Sequence, residues 1–383
     1  MTGARVARRV AAAAAFGGGG LGALGGSLYG VLRLQARLAR RAIGPAEDMP
    51  PDASGVYGRY YSGGPIAVAM LGDSSAAGYG VDSVAETPGA QIAAGLTELA
   101  GRPVRLTSHA AVGARSADLG WQIDAALLTS PAAVVILVGA NDVTHRVSIS
   151  DCGRLLGAGV RRLVAAGCVV VVGTCPDLGT VRPIPPPLRQ VARYWSRQLA
   201  AAQTVAAVEA GARTVSIGTT LGPEFDAAPA ELFGPDRFHP SAAGYASVAA
   251  ALLPSVASAL GLGPAAEDEP EPFRGDGVLP VADAALEAAN VSGTEVVLTE
   301  VDGHHGGPRG RWAALRHRRR QPLPDVERAG RGPAVVPGRG GLPEPPTIGH
   351  AHDSEPLEET HGPEPFRGDA PAPGREGSDS DRA

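Results

Sequence analysis

Two separate stretches carry side chains whose types and spacing suit acyl transfer. Ser74 lies in the run Gly72-Asp73-Ser74-Ser75, and far along the chain Asp236 precedes His239 by three positions. A serine hydroxyl is a weak nucleophile until a neighbouring base takes its proton. Imidazole suits that task because it titrates near neutrality. A carboxylate three residues earlier, brought onto the same face by a helical turn, could accept from the imidazole Nδ1–H, fix its tautomer and stabilise the imidazolium that forms. The tetrahedral intermediate then needs donors aimed at its oxyanion. The backbone N–H groups of Ser74 and Gly113 and the side-chain amide of Asn141 are the candidates. Chemistry of this kind requires no metal and no organic cofactor.

Neighbouring polar residues carry simpler expectations. Asp73 and Asp142 are read as braces that bond loop N–H groups rather than as proton carriers. His109 and His145 fall near the same loops without an acidic partner at a clear spacing. Cys175 follows a strand and lines a pocket, but no basic residue adjoins it in sequence to form a thiolate. The three cysteines, Cys152, Cys168 and Cys175, are odd in number and lack a C-x-x-C pair, so buried thiols are expected rather than a disulfide framework.

The elements that must hold these residues are legible in the hydropathy pattern. Short apolar runs occur at 66–71 (IAVAML), 104–108 (VRLTS), 133–138 (AVVILV), 168–172 (CVVVV) and 214–217 (TVSI). Continuous β-branched runs of this length suit strands buried on both faces of a parallel sheet. Between and after them lie Ala/Leu-rich stretches at 85–100, 116–129, 151–166, 188–211 and 241–260, most of them ending at Gly, which predicts helices. The alternation predicts a doubly wound α/β domain over residues 65–262. Ligands in such folds bind beyond the carboxyl ends of the strands. That is where Ser74, Gly113 and Asn141 fall, each just after an apolar run. RPIPPPLR at 182–189 is read as a rigid rim or lid over the same edge. Position 76 is Ala, so no G-x-S-x-G elbow surrounds Ser74.

Four blocks in order, GDS at 72–74, Gly113, G-A-N-D at 139–142 and D-R-F-H at 236–239, resemble the SGNH hydrolase (GDSL-like lipase/acylhydrolase) family. The second block departs from the family pattern: Ser108-His109 stand where an Asn often precedes the Gly. The resemblance implies a flavodoxin-like three-layer α/β/α sandwich on a five-stranded parallel sheet. It also implies a serine esterase acting on small-molecule or lipid esters, with Ser74, Asp236 and His239 as catalytic residues and Ser74, Gly113 and Asn141 as the oxyanion hole. The other reading of the whole chain is a non-catalytic, membrane-tethered interaction protein.

The ends differ from the middle. Residues 10–32 carry no charge, Arg5, Arg8 and Arg9 precede them, and Arg33, Arg37, Arg40 and Arg41 follow. A stretch of roughly 20 apolar residues can cross a bilayer as a helix, so residues 1–43 are expected to attach the protein to a membrane, with either orientation open, or to be cleaved on secretion. Residues 44–64 read as a Pro/Gly-rich linker. Beyond residue 262 the chain is rich in Pro, Gly and charge, and PEPFRGD recurs at 270–276 and 363–369. Residues 263–383 are therefore expected to be mostly disordered, with a short helix and strand allowed within 278–301. The net charge of -5 gives no reason to expect a nucleic-acid partner. Every basic residue is arginine, for the chain has no lysine.

Overall fold

The computed structural model describes residues 26–46, 48–262, 278–291, 294–298 and 312–317. Five parallel strands form its centre: β2 (Ile66–Gly72), β3 (Val104–Ser108), β4 (Ala133–Leu137), β5 (Val169–Gly173) and β6 (Arg213–Val215), in the order β3-β2-β4-β5-β6. They coincide with the five apolar runs. Successive side chains point to opposite faces of a strand, and the core divides accordingly. Val68, Met70, Val135, Leu137 and Val171 face one side, where α3 (Pro88–Ala100), α8 (Ile217–Ala227) and α10 (Ala242–Ala259) bring Ile92, Leu96, Leu221, Phe225, Leu252 and Val256. Leu71, Val134, Ile136, Val170 and Val172 face the other, where α4 (Leu119–Leu127), α6 (Ile149–Ala165) and the end of α7 (Leu188–Glu209) bring Ile123, Leu156, Val160, Leu163 and Ala207. Each large aliphatic buried in this way contributes roughly 1.5–3 kcal/mol. The result is the expected three-layer sandwich. By length and composition α10 could cross a membrane, but Tyr245, Val248, Leu252 and Val256 on it are buried in the core.

The sheet is wider than five strands. β1 (Gly55–Tyr57), within the stretch read as a linker, pairs antiparallel with β3. On the other edge β8 (Thr294–Leu298) pairs antiparallel with β6, β9 (Trp312–His317) with β8, and β7 (Val278–Pro280) with β9. Nine strands thus form one mixed sheet. The segment beyond residue 262 consequently belongs in part to the folded body, where the composition had suggested a boundary. Its helix α11 (Val281–Ala288) places Val281, Ala284 and Ala288 against Val208 and Val296, a small third core. Low-complexity flanks hid these short alternating runs. The strand Trp312–His317 likewise lies within residues 263–383, expected to be mostly disordered, and beyond the 278–301 piece allowed a helix and strand. Of the N-terminal segment, residues 26–43 form a helix, α1; residues 1–25, and with them most of the expected anchor, lie outside the described residues, as do 318–383.

Candidate active site

The first block turns sharply because it must. β2 ends at Gly72, whose φ is +135, and a side-chain carbon there would lie 1.7 Å from the Leu137 carbonyl oxygen of the adjacent strand. Only glycine permits that approach. Asp73, buried, then caps the short helix α2 (Ser74–Ala77) by accepting from the Ser75 N–H at 2.9 Å. Ser74 therefore opens the helix directly above the carboxyl end of β2.

The Asp-x-x-His pair reaches it by a route other than the expected helical turn. Residues 234–239 form a tight loop closed by Gly234 N–H to the His239 carbonyl at 2.8 Å, with Arg237 in the left-handed region at φ +56. Asp236 braces this loop from inside. Its Oδ1 accepts from the N–H groups of Phe238 and His239 at 2.9 and 3.0 Å, while Oδ2 lies 2.6 Å from His239 Nδ1. The opposite ring nitrogen, Nε2, lies 2.8 Å from Ser74 Oγ. Ser74, His239 and Asp236 thus form one continuous hydrogen-bonded line across 165 residues of sequence. Tyr79 and Phe238 pack on the imidazole with ring centroids at 4.5 and 4.9 Å, and His239 is buried.

The second and third blocks are joined to each other. Asn141, in α5 (Ala140–His145), donates from Nδ2 to the Ala114 carbonyl at 3.1 Å, next to Gly113, whose φ is +81. Asp142 accepts from the Ser116 N–H at 3.1 Å and from its hydroxyl at 2.9 Å. Asp142 is thus the loop brace the sequence suggested. His145 turns back onto its own helix, Nδ1 lying 2.8 Å from the Asn141 carbonyl. His109 Nε2 is buried with no hydrogen-bond partner among the described residues, and burial lowers its pKa. Burial pushes the Cys175 thiol well above its ordinary pKa, which leaves it protonated and inert.

Two buried glutamines are part of this arrangement, and motif spacing did not single them out. Gln122 of α4 clamps both polar groups of the Gly72 peptide: Oε1 accepts from Gly72 N–H at 2.7 Å, and Nε2 donates to its carbonyl at 2.9 Å. Gln203 of α7 does the same across two loops, accepting from Cys175 N–H at 2.7 Å and donating to the Val138 carbonyl at 2.8 Å. Their signal in the sequence is a lone amide on a helix face otherwise lined by Leu119, Ile123 and Ala126, or by Leu199, Ala200 and Ala207.

Charge around the site is divided. Burial drives the Asp73 carboxyl up to about 6, against the opposing pull of the Ser75 N–H and the His239 ring. Burial also acts on Asp236, but the hydrogen bonds from the His239 ring and from the Phe238 and His239 N–H groups outweigh it and hold this carboxyl below its usual range. Next to the serine opens an apolar cavity. Asp73 and Ser75, the chain neighbours of Ser74, lie on its wall, and Ile217, Leu221, Phe225, Phe233 and Phe238 give the wall its large apolar side chains. Thr180 and Val181 also line it, whereas no residue of the Pro-rich run 182–189 read as a rim does.

A serine, an imidazole and a carboxylate thus stand in line at the carboxyl edge of a doubly wound sheet. Residues 70–247 match the model of the GDSL-like lipase/acylhydrolase family. The chain is 42% identical over 258 residues to the GDSL-like esterase Rv1075c of Mycobacterium tuberculosis, an alignment covering 63% of this chain and 82% of that one. The chain belongs to the GDSL-like lipase/acylhydrolase family and is an ester hydrolase. Solved structures similar to it include TesA (19% identity, TM-score 0.42, covering 50% of this chain and 99% of that one). Another is an acetylxylan esterase from Geobacillus stearothermophilus (19%, TM-score 0.40, 51% and 96%). A third is a lipase/acylhydrolase from Enterococcus faecalis (18%, TM-score 0.39, 50% and 95%).

Proposed function

We propose that the protein cleaves carboxylic esters through an acyl-enzyme on Ser74. The hydroxyl attacks the ester carbonyl carbon while its proton passes to His239 Nε2, and Asp236 holds Nδ1–H and stabilises the imidazolium. The negative charge that develops on the carbonyl oxygen is met by three donors. Ser74 N–H heads a helix and so has no intrahelical partner. Gly113 offers its backbone N–H. Asn141 spends one amide hydrogen on the Ala114 carbonyl and keeps the second. Collapse of the intermediate expels the alkoxide, which takes the proton from His239; water then repeats the sequence on the acyl-enzyme. The observation that carries this reading is the line from Ser74 Oγ through His239 to Asp236, with contacts of 2.8 and 2.6 Å.

The apolar cavity beside Ser74 is the proposed seat of the acyl group, because its wall of aliphatic and phenyl side chains offers an ester nothing but apolar contact over most of its surface. Residues 65–262 are proposed as the catalytic core, and residues 10–32 as a membrane attachment. The direct experiment is Ser74→Ala assayed on a short-chain p-nitrophenyl ester, together with labelling by a fluorophosphonate. Turnover and labelling are both expected to vanish with the circular dichroism spectrum unchanged. Undiminished turnover in that variant would end the mechanism.

A further inference from the structure

Helix α1 presents three faces. At about 100° per residue, Leu32, Ala36, Ala39 and Ile43 fall on one side together with Gln35, and this side packs on the domain, with Ala39 buried. Gln35 fastens it. Its Nε2 donates to the Pro186 carbonyl at 2.7 Å and its Oε1 accepts from Leu188 N–H at 3.1 Å, one of the free donors at the start of α7. Nearer its start, Tyr29 accepts from Arg33 Nε at 2.8 Å and lies beside Arg146, the residue that closes α5. The helix is therefore tied to the segments after β4 and β5, the strand ends that carry Asn141 and the cavity wall.

A second side carries Val31, Leu34 and Leu38, and Leu28 lies where it meets the packed side; all four remain 44% to 56% exposed. The third carries Arg33, Arg37, Arg40 and Arg41, all exposed. No acidic residue precedes Glu47 anywhere in the chain, and the uncharged run 10–32 leads directly into this helix. Four half-exposed aliphatics beside four guanidinium groups match an anionic bilayer surface, which takes the apolar stripe among its acyl chains and the arginines among its headgroups. A protein partner of ordinary composition would leave most of that positive charge unmet.

We propose that α1 seats on an anionic lipid surface and so holds the catalytic edge against it, making ester lipids of that membrane the substrate class. The substrate half rests on the esterase reading above; the seating does not. The test uses the full-length protein in phosphatidylglycerol-containing vesicles, with an environment-sensitive fluorophore on Leu38→Cys, a position beyond the uncharged run. The fluorophore is expected to shift to the blue and to be quenched by lipids spin-labelled near the headgroup. It should do so less in pure phosphatidylcholine. A probe that stays in water, or one that is buried without vesicles in proportion to protein concentration, overturns the proposal; the second outcome assigns the stripe to another copy of the chain. Leu34→Glu/Leu38→Glu is expected to lower turnover of an ester lipid in those vesicles at least tenfold while leaving a soluble p-nitrophenyl ester unaffected. Equal loss on both substrates overturns it as well. If the wild type hydrolysed no ester at all, the esterase reading would fall while the fluorescence result stood.

Discussion

At the scale of single residues, the buried Asp73 carboxyl and the half-buried Asp236 carboxyl respond to pH in opposite senses. Asp73 has a folded-state pKa raised to about 6 from 3.8. A raised pKa means that the folded form binds its proton more tightly, so the stabilisation is complete below the unfolded value and is lost as pH rises through about 6. The difference corresponds to roughly 3 kcal/mol at most. Asp73→Asn keeps an oxygen to cap α2, so denaturant unfolding of that variant is expected to lose the fall in stability between pH 4 and 6. A slope identical to wild type would show that Asp73 titrates normally. Asp236 is held low, so its contribution is present above the ordinary carboxylate range and disappears as pH falls through its lowered value. Replacing it by Asn leaves the loop a partner but cannot hold the imidazolium; kcat is expected to drop by about 10⁴ with little change in KM. Ser74, Asp236, His239 and Asn141 were legible because reactive side chains in ordered blocks are rare by chance. Tyr79 and Phe238 were not, since nothing in an aromatic residue's own neighbourhood announces which ring it will cover.

At the scale of elements, the parallel strands and their helices could be read from continuous Val/Ile/Leu runs, as strands buried on both faces require. The loop carrying Asp236 could not. A three-residue spacing is compatible with a helical turn, yet Gly234 and the positive φ of Arg237 close a different loop that reaches the same juxtaposition. The hold of α4 on the Ser74 block also escapes local patterning, because a glutamine on an apolar face reads as an imperfection until its partner is known. Gln122→Leu would strip the buried Gly72 N–H of its partner, at roughly 1–3 kcal/mol, and leave the Gly72 carbonyl only the Ala111 N–H at 3.1 Å. We expect a lowered Tm and a fall in kcat larger than any change in KM. Gln122→Glu, which retains an acceptor, should recover part of the stability. A variant with wild-type kcat would reduce Gln122 to a packing residue.

At the scale of the whole molecule, the sheet does not stop where composition suggests. Val296 and the alanines of α11 cover Val208, and β8 occupies the edge of β6 that would otherwise present unpaired backbone. A chain ended at residue 262 is expected to melt several degrees lower and to aggregate on heating. An unchanged melting curve would show that the added strands are dispensable. These strands were hard to read because each is short and set among Pro, Gly and charge, so no single window stands out. The cavity is likewise a property of the assembled layers: Ile217, Leu221 and Phe225 come from successive turns of α8, and Phe233 and Phe238 from the segment that carries Asp236. Leu221→Trp should fill it and shift preference toward the shortest acyl chains, measured as the ratio of kcat/KM for butanoate and acetate esters. An unaltered ratio would place the acyl group elsewhere.

The three thiols offer a final consequence. Cys152, Cys168 and Cys175 are all buried and unpaired, so an alkylating reagent meets none of them while the native packing holds. The folded body then needs neither an oxidising nor a reducing compartment, and its native contacts are the same in both. Iodoacetamide uptake in native buffer then reports rare opening of the core, at the opening rate where alkylation outruns reclosing and in proportion to the open fraction where it does not.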